Sequence, residues 1–482
     1  MPADLRFGIG FRLAAFAVAL TSTAVHSASG QEAARPWETP VLAPSRQSGP
    51  PSGSLDAGGL ASLVKRGETL FAAQFGRTDG VGRPMATQAI IPTKRRRPPK
   101  DEFQRMAGMD ANACTSCHNV PSAGGAGDFT ANVFVSEGFA DAEFDSIDPQ
   151  FSNERNTNHL FGAGLVELLA REMTAELHAI RNSAATTARK EGRTVTLPLE
   201  TKGVSFGAIT VGADGMVNLS GLDGVDTDLV IRPFSQKGVI TSLRQFTINA
   251  LNSHHGIQAS ERFGERWTGQ NDFDEDGVAD EAGPADISAL VAWQATLQPP
   301  SVAKPESRLW QEAATAGREH FTDLGCSECH IPALPLNSLT FSDPGPLDAA
   351  GTLRAGEHAT PAQYDLAGQD WARLLERNGD GAIMVPLFGD LKRHRISDQK
   401  HAKLRNELLA QRFVERDVFM TAELWGIAST APYGHRGDLT SLDEVIRAHG
   451  GAASPSARAY EELPDDARSA IIAFLKTLVI EP

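Results

Sequence analysis

The chain is short of three things: positive charge, long apolar runs and cysteine. With 45 Lys and Arg against 60 Asp and Glu, the formal charge is −15, which argues against nucleic acid as the main partner. Beyond the first thirty residues no segment stays apolar long enough to cross a bilayer, so no stable membrane insertion is expected. Residues 1–30 have the layout of an export signal: Arg6 and Arg12, the apolar run LAAFAVALTSTAV, then the small-residue stretch SASG. The expected location is therefore periplasmic or secreted. At 482 residues of ordinary apolar and charged content, the chain is long enough for two or more domains with sizeable cores.

Four cysteines in an exported protein would by default form two disulfides, but their spacing points elsewhere. They fall as Cys114-Thr115-Ser116-Cys117-His118 and Cys326-Ser327-Glu328-Cys329-His330, two copies of C-x-x-C-H that use every cysteine. This is the pattern for covalent attachment of c-type haem. Two thiols add to the porphyrin vinyl groups, and the histidine that follows is held beneath the ring to bind iron. A shared zinc site would join segments more than two hundred residues apart. A redox dithiol would need a βαβ context that is not evident. Two covalently bound c-type haems are expected, with His118 and His330 as iron ligands.

The patterning predicts a mainly α protein of two cytochrome-c-like haem domains, residues 60–298 and 306–482, joined across the proline-rich stretch Pro299–Pro305. Residues 31–59 are rich in Pro, Ser and Gly and read as a flexible extension. Helical periodicity is clear in GGLASLVKRGETLFAAQF, FGAGLVELLAREMTAELHAIR, SLRQFTINALNSHHG, ADISALVAWQATL, ESRLWQEAATAGREHFTDLG and ELPDDARSAIIAFLKTL. Between them RTVTLPL, SFGAITVG, MVNLSG and DLVIRPF read as short strands, a β-insertion over about residues 193–235. The basic run Lys94–Arg97 is expected in a solvated loop, with docking of an acidic electron donor as the sharper alternative.

Near the C-terminus Ser441 and Glu444 form a capping-box signature, and Leu442, Val445, Ile446 and His449 share one helical face before Gly450-Gly451. His449 is thus the polar member of an apolar stripe. It is either a hydrogen-bonded core histidine or, with two irons each lacking a distal ligand, the sixth ligand of one of them. His435, in the loop HRGD, is better placed for a contact with a haem propionate.

The stretches RMAGMDANACTSCHNVPSAGGAGD, LFGAGLVELLA, SLRQFTINALNSHHGIQ, GCSECHIPAL, PLFGDLKRH and AELWGIASTAPYGHRGDLTSLDEVIRAHGG, spread over about residues 60–480, resemble the bacterial di-haem cytochrome c peroxidase superfamily. The resemblance is to its di-haem oxidoreductase ("thiol oxidoreductase") branch. In that superfamily the residue fourteen after the histidine of the PYxHxG loop is the distal ligand of the C-terminal haem. Here that residue is His449. The resemblance implies a closed, bis-histidine C-terminal haem of fairly low potential and a reactive N-terminal haem. It also implies Glu167, in the GxGLxE pattern, as the acid–base group above that iron. His254 and His255 are weaker candidates for the same pocket, and Arg244 for a propionate contact. Glutamate on the solvent face of a helix is the plain reading of Glu167. Where many relatives carry FGWK this chain has Phe234-Ser235-Gln236-Lys237, so Gln236 stands in place of the aromatic between the haems; Trp267 or Trp425 could substitute. One further motif, NDFDEDGVADE, puts Asp272, Asp274 and Asp276 at alternate positions, followed by Gly277 and Asp280. That pattern over residues 271–281 suits Ca²⁺, although it is not a full EF-hand.

The implied activity is peroxidase-like reduction of H2O2, with electrons from a small redox protein or other donor. Oxygenation of an apolar organic substrate with O2 is the second enzymatic reading, and a di-haem electron carrier is the non-catalytic one.

Overall fold

The structure is a computed structural model and describes residues 39–42, 46, 48–82, 85–87, 94–96, 112–135, 152–348, 352–354, 360–397 and 413–481. The chain divides into a unit of residues 1–39, of which only Thr39 is described, and a unit of residues 40–482 that holds the helices and strands. The expected export signal lies outside the described residues, as do Arg97, Pro98 and Pro99.

In chain order the described α-helices of six residues or more are α1 (Ala57–Ala72), α2 (Ala163–Glu191), α3 (Leu243–Ala250), α4 (Pro284–Thr296), α5 (Arg308–Asp323), α6 (Leu442–Arg447), α7 (Ser454–Glu462) and α8 (Asp465–Leu475). Their ends follow from local chemistry. Asp56 accepts from Gly59 N–H to start α1, and Ser307 accepts from Trp310 N–H to start α5. Pro284 opens α4 at a position where its missing N–H costs nothing.

Two helix crossings frame the molecule, α1 against α4 and α5 against α8. Each closes on a glycine. A Cβ on Gly67 would lie 2.0 Å from the Ala289 carbonyl oxygen, and one on Gly317 would lie 1.9 Å from that of Ala470. Four residues on, α1 presents Phe71 to Trp293 of α4 at 4.2 Å between ring centroids, and α5 presents Phe321 to Phe474 of α8 at 5.5 Å. The chain thus carries the same G-x-x-x-F device twice, once before each C-x-x-C-H motif. Arg66 of α1 adds an ion pair to buried Asp286 in the first turn of α4, at 2.9 Å.

Strands are more widespread than expected. The described residues form seven small sheets of two or three strands, several of them after residue 330, so the architecture is mixed α and β rather than mainly α. Period-two patterning is weak in strands this short, which is why they escape a sequence reading. The β-insertion contains Val195–Thr201, Val204–Val211 and Val217–Asn218 in antiparallel order. Its hairpin turns at Lys202 and Gly203, both left-handed. DLVIRPF is not a strand: Leu229 has φ 60°, and Ile231 N–H is bonded to Thr174 of α2. Within the stretch read as a flexible extension, Gly53–Ser54 pairs in parallel with Ala362–Gln363, and buried Leu42 donates its N–H to Asp79.

The larger core takes α1, α2 and α4 together with Leu334, Phe341, Tyr364, Val385 and Leu391 from well beyond the proline-rich stretch. A second core collects Phe321, Phe388, Tyr460, Ile471 and Phe474 around α5 and α8.

Replacing a mid-helix glycine by alanine gains about 1 kcal/mol where there is room. At these crossings there is none, because the obstacle is backbone. Gly67→Ala and Gly317→Ala are each expected to lower the unfolding free energy by about 1–3 kcal/mol, read from urea denaturation; a gain would show that the helices do not meet there.

Candidate functional site

Both C-x-x-C-H motifs open into one cavity of about 1130 Å³. That exceeds the roughly 300–1,000 Å³ of an ordinary small-molecule pocket. Cys114, Cys117 and His118 line one part of it, and Cys326, Cys329, His330 and His449 another. Each motif is a single 3₁₀ turn, Cys114–Ser116 and Cys326–Glu328. None of the four cysteines is in a disulfide. Burial pushes the thiols of Cys114 and Cys326 up to about 12 and about 11, so neither is a standing thiolate.

The two histidines are aimed alike. His118 Nδ1 is 3.2 Å from the Gly125 carbonyl oxygen, and His330 Nδ1 is 3.2 Å from that of Phe388. Only the N–H tautomer at Nδ1 satisfies a carbonyl, so the Nε2 lone pair is left for a metal. Burial lowers both imidazoles to about 4, which keeps them neutral. Phe71 and Phe321, the phenylalanines of the two crossings, pack on them at 6.0 and 6.3 Å.

His449 sits just past α6, whose start has the expected reciprocal cap between Ser441 and Glu444. Its Nδ1 is 2.6 Å from the Val445 carbonyl oxygen, and its ring lies 6.5 Å from that of His330, centroid to centroid. With a metal–nitrogen bond of about 2 Å, two imidazoles on opposite sides of one iron have centroids roughly 6 Å apart. The pair therefore fits a single iron between them. Leu442, Val445, Ile446 and His449 all line the cavity, while Leu442 and Ile446 also pack into the second core. Helical period reveals that a face is covered but not what covers it.

Other expected residues fall out differently. His254 and His255 lie in a π-helical turn, Leu251–His255, at the end of α3 and reach the cavity; His255 Nε2 is 3.7 Å from Cys114 Sγ. Gln236 lines the wall and donates to the His435 carbonyl at 3.1 Å. Trp425 also lines it, packed so closely over Gly162 that a Cβ there would come within 2.5 Å of the indole, whereas Trp267 is 41% exposed and is not on the wall. His435 stacks on Phe419 at 4.6 Å; burial and the charges of Arg155, Lys237 and Arg436 hold it well below the usual histidine range. It is thus neutral, and the cation on the wall beside it is Arg155. Thr247 and Gln294, the latter the polar break in the apolar run of α4, also face the cavity and are bonded to each other at 2.9 Å. These two were not anticipated, although a lone glutamine in ADISALVAWQATL is the kind of signal that marks such a position.

Glu167 is neither on the wall nor in solvent. It is 1% exposed, one oxygen paired with Arg171 and the other accepting from Leu243 N–H at 2.8 Å. Its neighbours in sequence and space, Val166 and Leu243, are the wall residues. Burial raises its pKa although Arg171 opposes the shift. Arg244 is likewise buried, not a cavity or surface arginine. It holds Glu261 with two bonds of 2.7 and 3.0 Å and Asp343 with two of 2.9 and 3.0 Å.

In the acidic loop one ligand atom each from Asp272, Asp274 and Asp276 lies within 4.8 Å of the others. Asp280 is outside this group; at φ 48° it occupies the turn, with its N–H on the Asn271 carbonyl. The acid that faces the group is Glu281, 2% exposed and pushed well up by burial and by Asp274 and Asp276.

No protein-family model matches the chain, and no curated protein matches it. Among solved structures, Kuenenia stuttgartiensis hydrazine synthase pressurised with xenon is similar at a TM-score of 0.35 and 12% identity, over 99% of this chain and 100% of that one. A MauG-like protein associated with microbial copper homeostasis is similar at a TM-score of 0.29 and 15% identity, over 56% of this chain and 78% of that one. Both overlaps are loose, and neither identifies the chain.

Removing the Arg244 guanidinium strands two buried carboxylates. Arg244→Met is expected to cost about 3–5 kcal/mol of stability, measured by urea unfolding at neutral pH; a neutral result would mean that the carboxylates are protonated or reach water.

Proposed function

We propose that the chain is an exported di-haem c-type oxidoreductase with peroxidase-like activity, reducing H2O2 at the N-terminal site with electrons entering through the C-terminal one. The observation that supports it is the cavity shared by both attachment motifs, with His449 facing His330 across the span of one iron. Bound haems would supply the redox chemistry: electron storage at the C-terminal group and peroxide reduction at the N-terminal one.

The chain's own residues divide the remaining work. Cys114 and Cys117, and Cys326 and Cys329, would fix the two groups covalently, with His118 as iron ligand of the first and His330 and His449 as iron ligands of the second. On the side of the first motif Thr247, His254, His255 and Gln294 can bind and orient a small polar oxidant. Phe161, Val166, Phe246 and Leu290 exclude bulk water from the same wall. That apolar lining also favours a second reading, oxygenation of an apolar organic molecule by O2. Glu167 would hold a proton behind the wall, its raised pKa suiting it to an acid–base role. A small redox protein is the proposed electron donor. Asp272, Asp274 and Asp276 are proposed to hold a structural Ca²⁺.

Haem content and ferric EPR test this reading. The protein should carry two haems, Cys117→Ala and Cys329→Ala one each, and His449→Ala should convert a low-spin signal to high-spin without losing haem. One high-spin and one low-spin signal in wild type, with peroxide consumption from a reduced donor, are expected. Two low-spin signals and no peroxide turnover would reduce the protein to an electron carrier, and oxygen uptake with an apolar substrate would select the oxygenase. For the cation, EDTA should lower the melting temperature by several degrees and excess Ca²⁺ restore it; an unchanged melting curve would remove Ca²⁺ from the account.

A further inference from the structure

Behind the wall of the first part of the cavity lies a buried group of charges that the proposed reaction uses only through Glu167. Glu167, Arg244, Asp343, Asp348 and Tyr364 are each at most 5% exposed. The cations among them are committed. Arg171 serves Glu167, and Arg244 is shared by Glu261 and Asp343, with Arg262 beside Glu261. Four carboxyl groups thus meet three guanidiniums, and Asp348 is the acid left without a cation of its own among the described residues.

Asp348 and Glu167 lie beside adjacent residues. At the start of α3, Leu243 N–H donates to Glu167, and Ser242 is close enough to Asp348 to favour its charged form. They also meet from the other side. Gly345 donates its N–H to Asp348 Oδ2 at 3.3 Å and lies so close to Arg171 that a Cβ would come within 2.5 Å of the guanidinium bonded to Glu167.

We propose that Glu167 and Asp348 form a carboxyl pair that holds one proton between them at neutral pH, a buried proton store behind the cavity wall. Two neighbouring carboxyls in a low-dielectric setting resist ionising together. Burial, and then the nearby charge of Glu167, push Asp348 up to about 7, against the pull of Ser242, Arg171 and Arg244. Tyr364, which faces both Asp343 and Glu167, is pushed well up and stays neutral. The use of the store rests on the peroxidase reading: reduction of one H2O2 to two waters takes up two protons with two electrons, and the pair can give one proton toward the wall. Its existence does not depend on that reading.

The pair has a thermodynamic signature separate from activity. An acid whose pKa is raised on folding carries no penalty below its unfolded value. It becomes progressively destabilising as pH rises from about 4 to about 7, with no further change above. Urea unfolding of the full chain as purified, repeated across that range, should show the stability of Asp348→Asn rising relative to wild type and then levelling off. A residue that merely packs would give parallel curves, and parallel curves overturn the store. Should Asp348→Asn not fold, Glu167→Gln carries the test, because removing one partner of the pair must shrink the pH slope of wild type; an unchanged slope refutes it. Haem content measured on the same samples reports separately on the di-haem reading.

Discussion

Two backbone contacts, Gly67 on Ala289 and Gly317 on Ala470, set the position of what faces the cavity. Because each crossing is closed by main chain rather than by side chains, the helices have no softer way to sit. The phenylalanine one turn on is then pressed between the partner helix and the histidine of the attachment motif. A carbonyl on the far side of each imidazole fixes the remaining rotation. Two unrelated stretches of sequence therefore deliver histidines with the same tautomer and the same nitrogen turned away from its carbonyl into one cavity.

The polar interior is organised around that wall without entering it. Lys237, 1% exposed, donates to the carbonyls of Glu415, Arg416 and Val418 and lies 3.6 Å from the centroid of Phe419, the ring on which His435 stacks. Arg244 on α3 is buried likewise, and Arg171 on α2 nearly so. In each case a charge is buried with several partners, the condition under which burial is tolerable. The cost falls on carboxyl groups that outnumber their cations, which turns a packing arrangement into one that responds to protons.

Much of this was legible in the sequence where one residue type has one use. The cysteine spacing marked both C-x-x-C-H turns, and apolar periodicity located α1, α4, α5 and α8. Ser441 and Glu444 announced the cap of α6. What escaped had a common cause: pattern reports burial but not the neighbour. The stripe ending at His449 gave no sign that part of it packs into the core while all of it lines the cavity. Glu167 offered a choice between cavity and solvent and took neither, because Arg171 one turn along claims it. Arg244 looked peripheral because Asp343, its partner, lies ninety-nine residues away in sequence. Strands of two to four residues leave almost no alternation to read.

The two attachment sites are not equally easy to make. Cys326 follows the end of α5 by three residues, so Phe321 and His330 meet almost as soon as the helix forms. Cys114 comes forty-two residues after α1 ends, and that longer stretch of chain must be brought together before Phe71 can reach His118. Local contacts form early and distant ones late. On chain separation alone, the contact between Phe321 and His330 is expected to close before that between Phe71 and His118, the reverse of the order of synthesis.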